Sequence, residues 1–177
     1  MKKKIGILWS LMLVLGVVLM AGGCGSGIGT ELTGQVNFDR LVGTWVVQPD
    51  TFRGLVSISQ GEGAPSLLIS PAMHTLTGEI NIVYIGRTHN PRRGEGTAYG
   101  RLRFDGPGLD PDYGWTLHIG GGGRTTFGSD TPNIYFYTLE GGGEVTMTFD
   151  NPNEPEIRIA GEGTGLSVGI NFRARRQ

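Results

Sequence analysis

The sequence predicts an all-β fold: an antiparallel barrel of about eight to ten strands, with a β-sandwich as the alternative. Three observations predict it. Apolar and polar residues alternate with a period of two, the pattern of half-buried strands. Glycines cluster between the alternating runs, as Gly61-Glu62-Gly63, Gly120 to Gly123 and Gly141 to Gly143, where they punctuate turns. The gaps between runs are too short for crossover helices, so neighbouring strands pair as hairpins.

In chain order, one short helical turn within 30–40 precedes a strand near 43–48. At 54–60, Val56 and Ile58 alternate with Ser57 and Ser59, and a short strand follows near 66–70. At 78–85, Ile80, Ile82 and Tyr84 share a face. At 97–104, Ala98, Gly100, Leu102 and Phe104 oppose Tyr99, Arg101 and Arg103. At 113–119, Tyr113, Trp115, Leu117 and Ile119 repeat the pattern, and Gly120 to Gly123 read as a loop. At 133–139, Ile134 and Phe136 read as the inner face, against Tyr135 and Tyr137. At 144–150, Val145, Met147 and Phe149 alternate with threonines, after the hairpin Glu140-Gly141-Gly142-Gly143-Glu144. Two further strands, near 156–160 and 166–173, complete the count.

The N-terminus carries a different signal. Lys2, Lys3 and Lys4 precede an uncharged apolar stretch from Ile5 to Ala21, the layout of an export signal. Its end, Met20-Ala21-Gly22-Gly23-Cys24, resembles the lipobox of bacterial lipoproteins. That resemblance implies cleavage before Cys24, with lipid on its sulfur and on the new amine. Residues 1–23 are then the signal peptide, 24–36 a Gly/Ser-rich flexible tether, and 37–177 a single all-β domain. Gly25 after the cysteine, in place of Asp, implies the outer membrane rather than the inner.

Composition narrows the function classes. All three Lys lie in the signal, so the mature part holds 12 Arg against 16 Asp and Glu, a net charge of −4. A nucleic-acid binder would show a basic face. With one Cys in the chain, no internal disulfide forms. No metal site, cofactor or catalytic residue is expected. His74, His89 and His118 lack metal-type spacing, and no nucleophile elbow is present. The acidic loops around Asp105, Asp110 and Asp112 and around Asp150 to Glu156 lack EF-hand spacing and read as turns. The expected strands of five to eight residues fall short of the 9–11 that cross a membrane.

A second resemblance concerns the domain itself. Asn37-Phe38-Asp39-Arg40-Leu41-Val42-Gly43-Thr44-Trp45 resembles the opening motif of lipocalins, and Ser129-Asp130-Thr131 their second motif. It implies a ligand-holding barrel closed at one end by Gly43, Trp45, Asp130 and Arg158, with the Arg158 guanidinium over the Trp45 ring. An eight-stranded interior is just wide enough for one small ligand. The apolar faces then nominate Ile82, Phe104, Trp115, Leu117, Phe136 and Met147 as its walls, unless these side chains fill the core completely. The expected function is a lipid-anchored envelope protein binding a small apolar ligand. The alternative is a non-catalytic structural or protein-interaction module, the partner then being an envelope protein.

Overall fold

The computed structural model describes residues 36–62, 64–139 and 142–177; the signal peptide, Cys24 and almost all of the tether lie outside them. Ten strands form one sheet: β1 (Gly43–Val47), β2 (Arg53–Ile58), β3 (Leu67–Ile69), β4 (Thr75–Arg87), β5 (Arg93–Asp105), β6 (Trp115–Thr131), β7 (Ile134–Thr138), β8 (Glu144–Thr148), β9 (Glu156–Gly163) and β10 (Leu166–Arg176). The expected all-β barrel is present. Eight strands close it in the order β1-β4-β5-β6-β7-β8-β9-β10, and β10 pairs back onto β1. Every pairing is antiparallel. The short helical turn is a 3-10 turn at Phe38–Arg40, capped where the Asn37 side chain accepts from the Asp39 N–H.

β1 and β2 are two halves of one bent strand, interrupted by a 3-10 turn at Pro49–Thr51. Pro49 supplies no N–H for a ladder, which fits a break at that point. The long β10 bridges the bend, pairing with β1 through 174–176 and with β2 through 166–171. β3 hangs on β2 outside the closed ring.

Three strands are longer than alternation predicts: β4 and β5 run 13 residues and β6 runs 17. The run Gly120 to Gly123 is not a loop but part of β6. The reason is backbone freedom. Gly120 and Gly122 adopt φ of +70° and +76°, which absorb the register shifts opposite Thr97, Tyr99 and Gly100 without ending the strand. These lengths remove strand shortness as an argument against a membrane barrel. The polarity of the wall supplies another. Glu79, Arg101 and Thr77 face outward exposed, while Leu76, Ile80 and Leu102 between them are buried. A lipid-facing barrel needs the reverse.

The interior is filled by aromatic side chains. Near one end Trp45, Phe149, Tyr135 and Phe38 pack in sequence with ring centroids 5.4, 5.5 and 5.9 Å apart. Phe52, Phe104 and Trp115 form a second group at 5.6 Å spacings, and Phe127 meets Tyr137 at 5.2 Å. Here β7 reverses the expected face: Tyr135 and Tyr137 are buried and Ile134 and Phe136 point out. Both sets of side chains are aromatic or apolar, so alternation alone cannot orient this strand. The register orients it. Phe136 lies opposite Gly128, and a Cβ on Gly128 would sit 2.4 Å from the Phe136 ring. The ring therefore covers the glycine on the outer surface.

Candidate functional site

The two ends of the barrel differ. One end is plugged. Trp45 is fully buried, and its indole N–H donates to the Leu41 carbonyl at 2.7 Å, which ties the 3-10 turn to the first strand. A guanidinium does lie over the Trp45 ring, 4.6 Å from its centroid, but it belongs to Arg176 and not to Arg158. The same Arg176 donates to the Arg40 carbonyl. Gly43, at φ +140°, leaves a side-chain-free strip of β1 along which Arg176 runs. Arg158 sits in mid-β9, opposite Thr146 and Asn171, on the exposed face of the strand. Sequence order nominates Arg158 because it follows the eighth strand. The plug instead takes its arginine from the end of the strand that pairs with β1. Asp130 is exposed at the end of β6, and the buried group beside it is Ser129, whose hydroxyl donates to the Ile134 carbonyl at 2.6 Å.

The opposite end is open on one side. The β7–β8 hairpin is short, and its turn is closed by the Leu139 N–H donating to the Gly143 carbonyl at 2.8 Å. β6 pairs with β7 only between Phe127 and Thr131, and the β8–β9 ladder stops at Glu144 and Ala160. Above the turn, no strand among the described residues stands between β6 and β9. A recess of about 370 Å³ occupies the notch. Its apolar lining is Leu117, Leu139, Ile159, Leu166 and Val168, and its rim includes Gly120, Gly143, Gly161 and Gly163. A narrow space of about 30 Å³ beneath it shares Gly120 and Leu139 with the recess and reaches Tyr137. The Tyr137 hydroxyl is buried without a partner among the described residues, and burial pushes its phenol well above the usual tyrosine range.

Of the six residues nominated as ligand walls, Leu117 alone lines this recess. Ile82, Phe104 and Met147 are buried core, and Trp115 packs against that core. Phe136 lies on the outside. Leu139, Ile159, Leu166 and Val168 are the lining that sequence reasoning missed. Alternation marks Leu166 and Val168 as inward, but which inward residues reach a rim depends on where the β7–β8 hairpin stops.

A second concavity, of about 940 Å³, lies on the outer surface of β4, β5 and β6. Tyr99, Arg101, Tyr113 and His118 line it over a glycine-containing floor.

No protein-family model matches the chain, and no curated protein matches its sequence. Among solved structures it is similar to EF1p2_mFAP2b bound to DFHBI, at 15% identity and a TM-score of 0.37, covering 82% of this chain and 99% of that one. It is also similar to the S-type phycobiliprotein lyase CPES from Guillardia theta, at 12% identity and a TM-score of 0.40, covering 83% and 96%. At those TM-scores neither likeness bears on function.

Proposed function

We propose that this chain is a lipid-anchored lipoprotein of the bacterial envelope whose barrel binds a small apolar ligand at its open end. The observation that carries the ligand reading is the notch above the β7–β8 turn. There Leu117, Leu139, Ile159, Leu166 and Val168 face one recess instead of closing over one another. Its volume lies at the low end of the range for small-molecule sites. The filled interior favours the mouth over the barrel centre, and a ligand there would be small or only partly enclosed. The reading is non-catalytic: it assigns the recess no nucleophile and no acid–base pair.

The test uses the full chain carrying Cys24→Ser, which has no lipid of its own, and the apolar dye N-phenyl-1-naphthylamine. Saturable fluorescence enhancement is expected, weakened at least about tenfold by Val168→Glu or Leu117→Glu. Arg158→Ala, on the exposed face of β9, should bind as the parent does. Dye binding that both glutamate variants leave intact would remove the recess from consideration. The anchor is tested separately by intact-mass measurement of the natural mature protein. Acylated Cys24 at the N-terminus is expected; a free thiol, or cleavage elsewhere, defeats that part of the proposal.

The aromatic filling of the barrel favours a second reading, a protein-interaction module of the envelope. On that reading the recess seats a partner's apolar side chain, and the free dye binds without saturation.

A further inference from the structure

We infer that the outer surface of β4, β5 and β6 is a second binding site, for a neutral oligosaccharide. The register builds a grid of outward side chains. Thr77, Arg103 and Thr116 form one row across the three strands, and Glu79, Arg101 and His118 form the next. Asn81 and Tyr99 form a third. Rows across a sheet repeat every 4.7–4.9 Å and alternate residues along a strand every 6–7 Å, spacings comparable to a pyranose ring. The groove over this grid measures about 940 Å³.

Two tyrosines distinguish it from an ordinary solvated face. Tyr99 is 45% exposed and Tyr113 is 76% exposed. Tyr113 is not on a loose loop. The Asp110 carboxylate accepts from the N–H groups of Asp112 and Tyr113, both at 2.9 Å, and the Gly114 N–H donates to the Asp110 carbonyl at 2.7 Å. Arg103 spans from the Asp105 carboxylate, at 2.8 Å, to the Asp112 carbonyl, at 3.1 Å. The turn thus fixes the backbone that presents a water-exposed aromatic ring beside the groove. An aromatic face presented in advance lowers the ordering cost of stacking a ligand on it.

The charges choose the ligand class. Arg103 is paired with Asp105, and Arg101 lies directly opposite Glu79 across the β4–β5 ladder. The charged side chains of the face therefore cancel, which disfavours a polyanion. What remains is a set of planar or forked donors and acceptors: Arg101, His118 and the Glu79 carboxylate, which the Asn81 amide steadies by donating to it at 3.1 Å while accepting from the Thr44 hydroxyl. Such groups bind adjacent hydroxyls, while an aromatic face stacks on the C–H face of a sugar ring. Both features together describe a neutral sugar chain, not an apolar ligand and not a nucleic acid.

The experiment records amide NMR spectra of the full Cys24→Ser chain with cellohexaose, maltohexaose and chitohexaose, and with polygalacturonate as the anionic probe. The inference expects saturable shifts at Tyr99, Tyr113 and Thr116 with at least one neutral hexaose below about 10 mM. Tyr113→Ala should weaken that binding at least fivefold while the melting temperature and the naphthylamine dye affinity stay at the parent values. The dye readout separates this site from the mouth, so either can fail alone. Silence with all three hexaoses overturns the inference. So does binding of polygalacturonate only, or hexaose binding that Tyr113→Ala and Tyr99→Ala both leave unchanged.

Discussion

Replacing Arg176 by Ala tests the plug that closes one end of the barrel. Three effects set its size. The guanidinium lies 4.6 Å from the Trp45 centroid, inside the range for cation–π attraction, and partly buried pairs of that kind contribute about 0.5–2 kcal/mol. Its charged donor to the Arg40 carbonyl contributes about 1.5–3 kcal/mol. Against these, the Arg176 Nε is buried without a partner, a cost of about 1–3 kcal/mol that the alanine variant escapes. The midpoints of these ranges leave a loss of about 1.5 kcal/mol, or a fall in Tm of about 3–6 °C for a domain of this size. Urea denaturation followed by tryptophan fluorescence measures it. Arg176→Lys keeps the charge but not the flat, forked head, so it should recover less than half of the loss. Arg158→Ala is the control and should stay within about 0.5 kcal/mol of the parent. A double-mutant cycle with Trp45→Phe should give a coupling of at least about 0.5 kcal/mol. If Arg158→Ala costs more than Arg176→Ala, the assignment of the plug is wrong.

Three further predictions rest on named contacts. Tyr137→Phe removes a buried hydroxyl without a partner and should leave stability unchanged or raise it by up to about 1 kcal/mol in urea titration. It should also protect against alkali. The folded phenol titrates above its unfolded value of about 10, so its contribution is intact below pH 10 and is lost as pH rises further. A parent protein that loses no more stability than Tyr137→Phe above pH 10 contradicts this. Gly120→Val should cost at least about 3 kcal/mol, because φ is +70° and a Cβ would sit 2.1 Å from the Ala98 carbonyl oxygen; thermal melting reads it directly. Phe136→Ala, on the outside, should cost well under the roughly 3–5 kcal/mol of Tyr135→Ala in the core. The opposite ranking would return β7 to the face that alternation suggests.

What could be read in the sequence was the periodicity, and what could not was where strands end and which way ambiguous ones face. Val56, Ile80, Leu102, Val145 and Val168 alternate with polar neighbours, so their strands and inner faces were legible. Ile134-Tyr135-Phe136-Tyr137 has no polar face, and only pairing with Gly128 decides it. Gly120 to Gly123 looked like a turn because glycine serves both turns and bulges; the choice depends on β5 continuing alongside. The mouth was illegible for a related reason. It exists because β7 and β8 are short while β6 runs on beyond them, a relation between strands rather than a motif. The plug was half legible: Gly43 and Trp45 announce it locally, whereas Arg176 reaches them only through the β1–β10 pairing that closes the barrel.

The plugged end is also where the described chain begins. Val36, the first described residue, is buried beside the β4–β5 hairpin together with Phe38, at the plugged end. A chain attached through Cys24 therefore enters at the end opposite the notch. Under the proposed anchor at Cys24, the notch lies at the end of the barrel away from the chain's entry, and on that reading ligand reaches it from the aqueous side. Deleting Ser26 to Thr30 should leave dye affinity in reconstituted vesicles within about twofold of the parent, because the mouth does not use the tether. A loss of binding that scales with the length removed would mean that the ligand enters from the membrane side, and the notch would then not be the entrance.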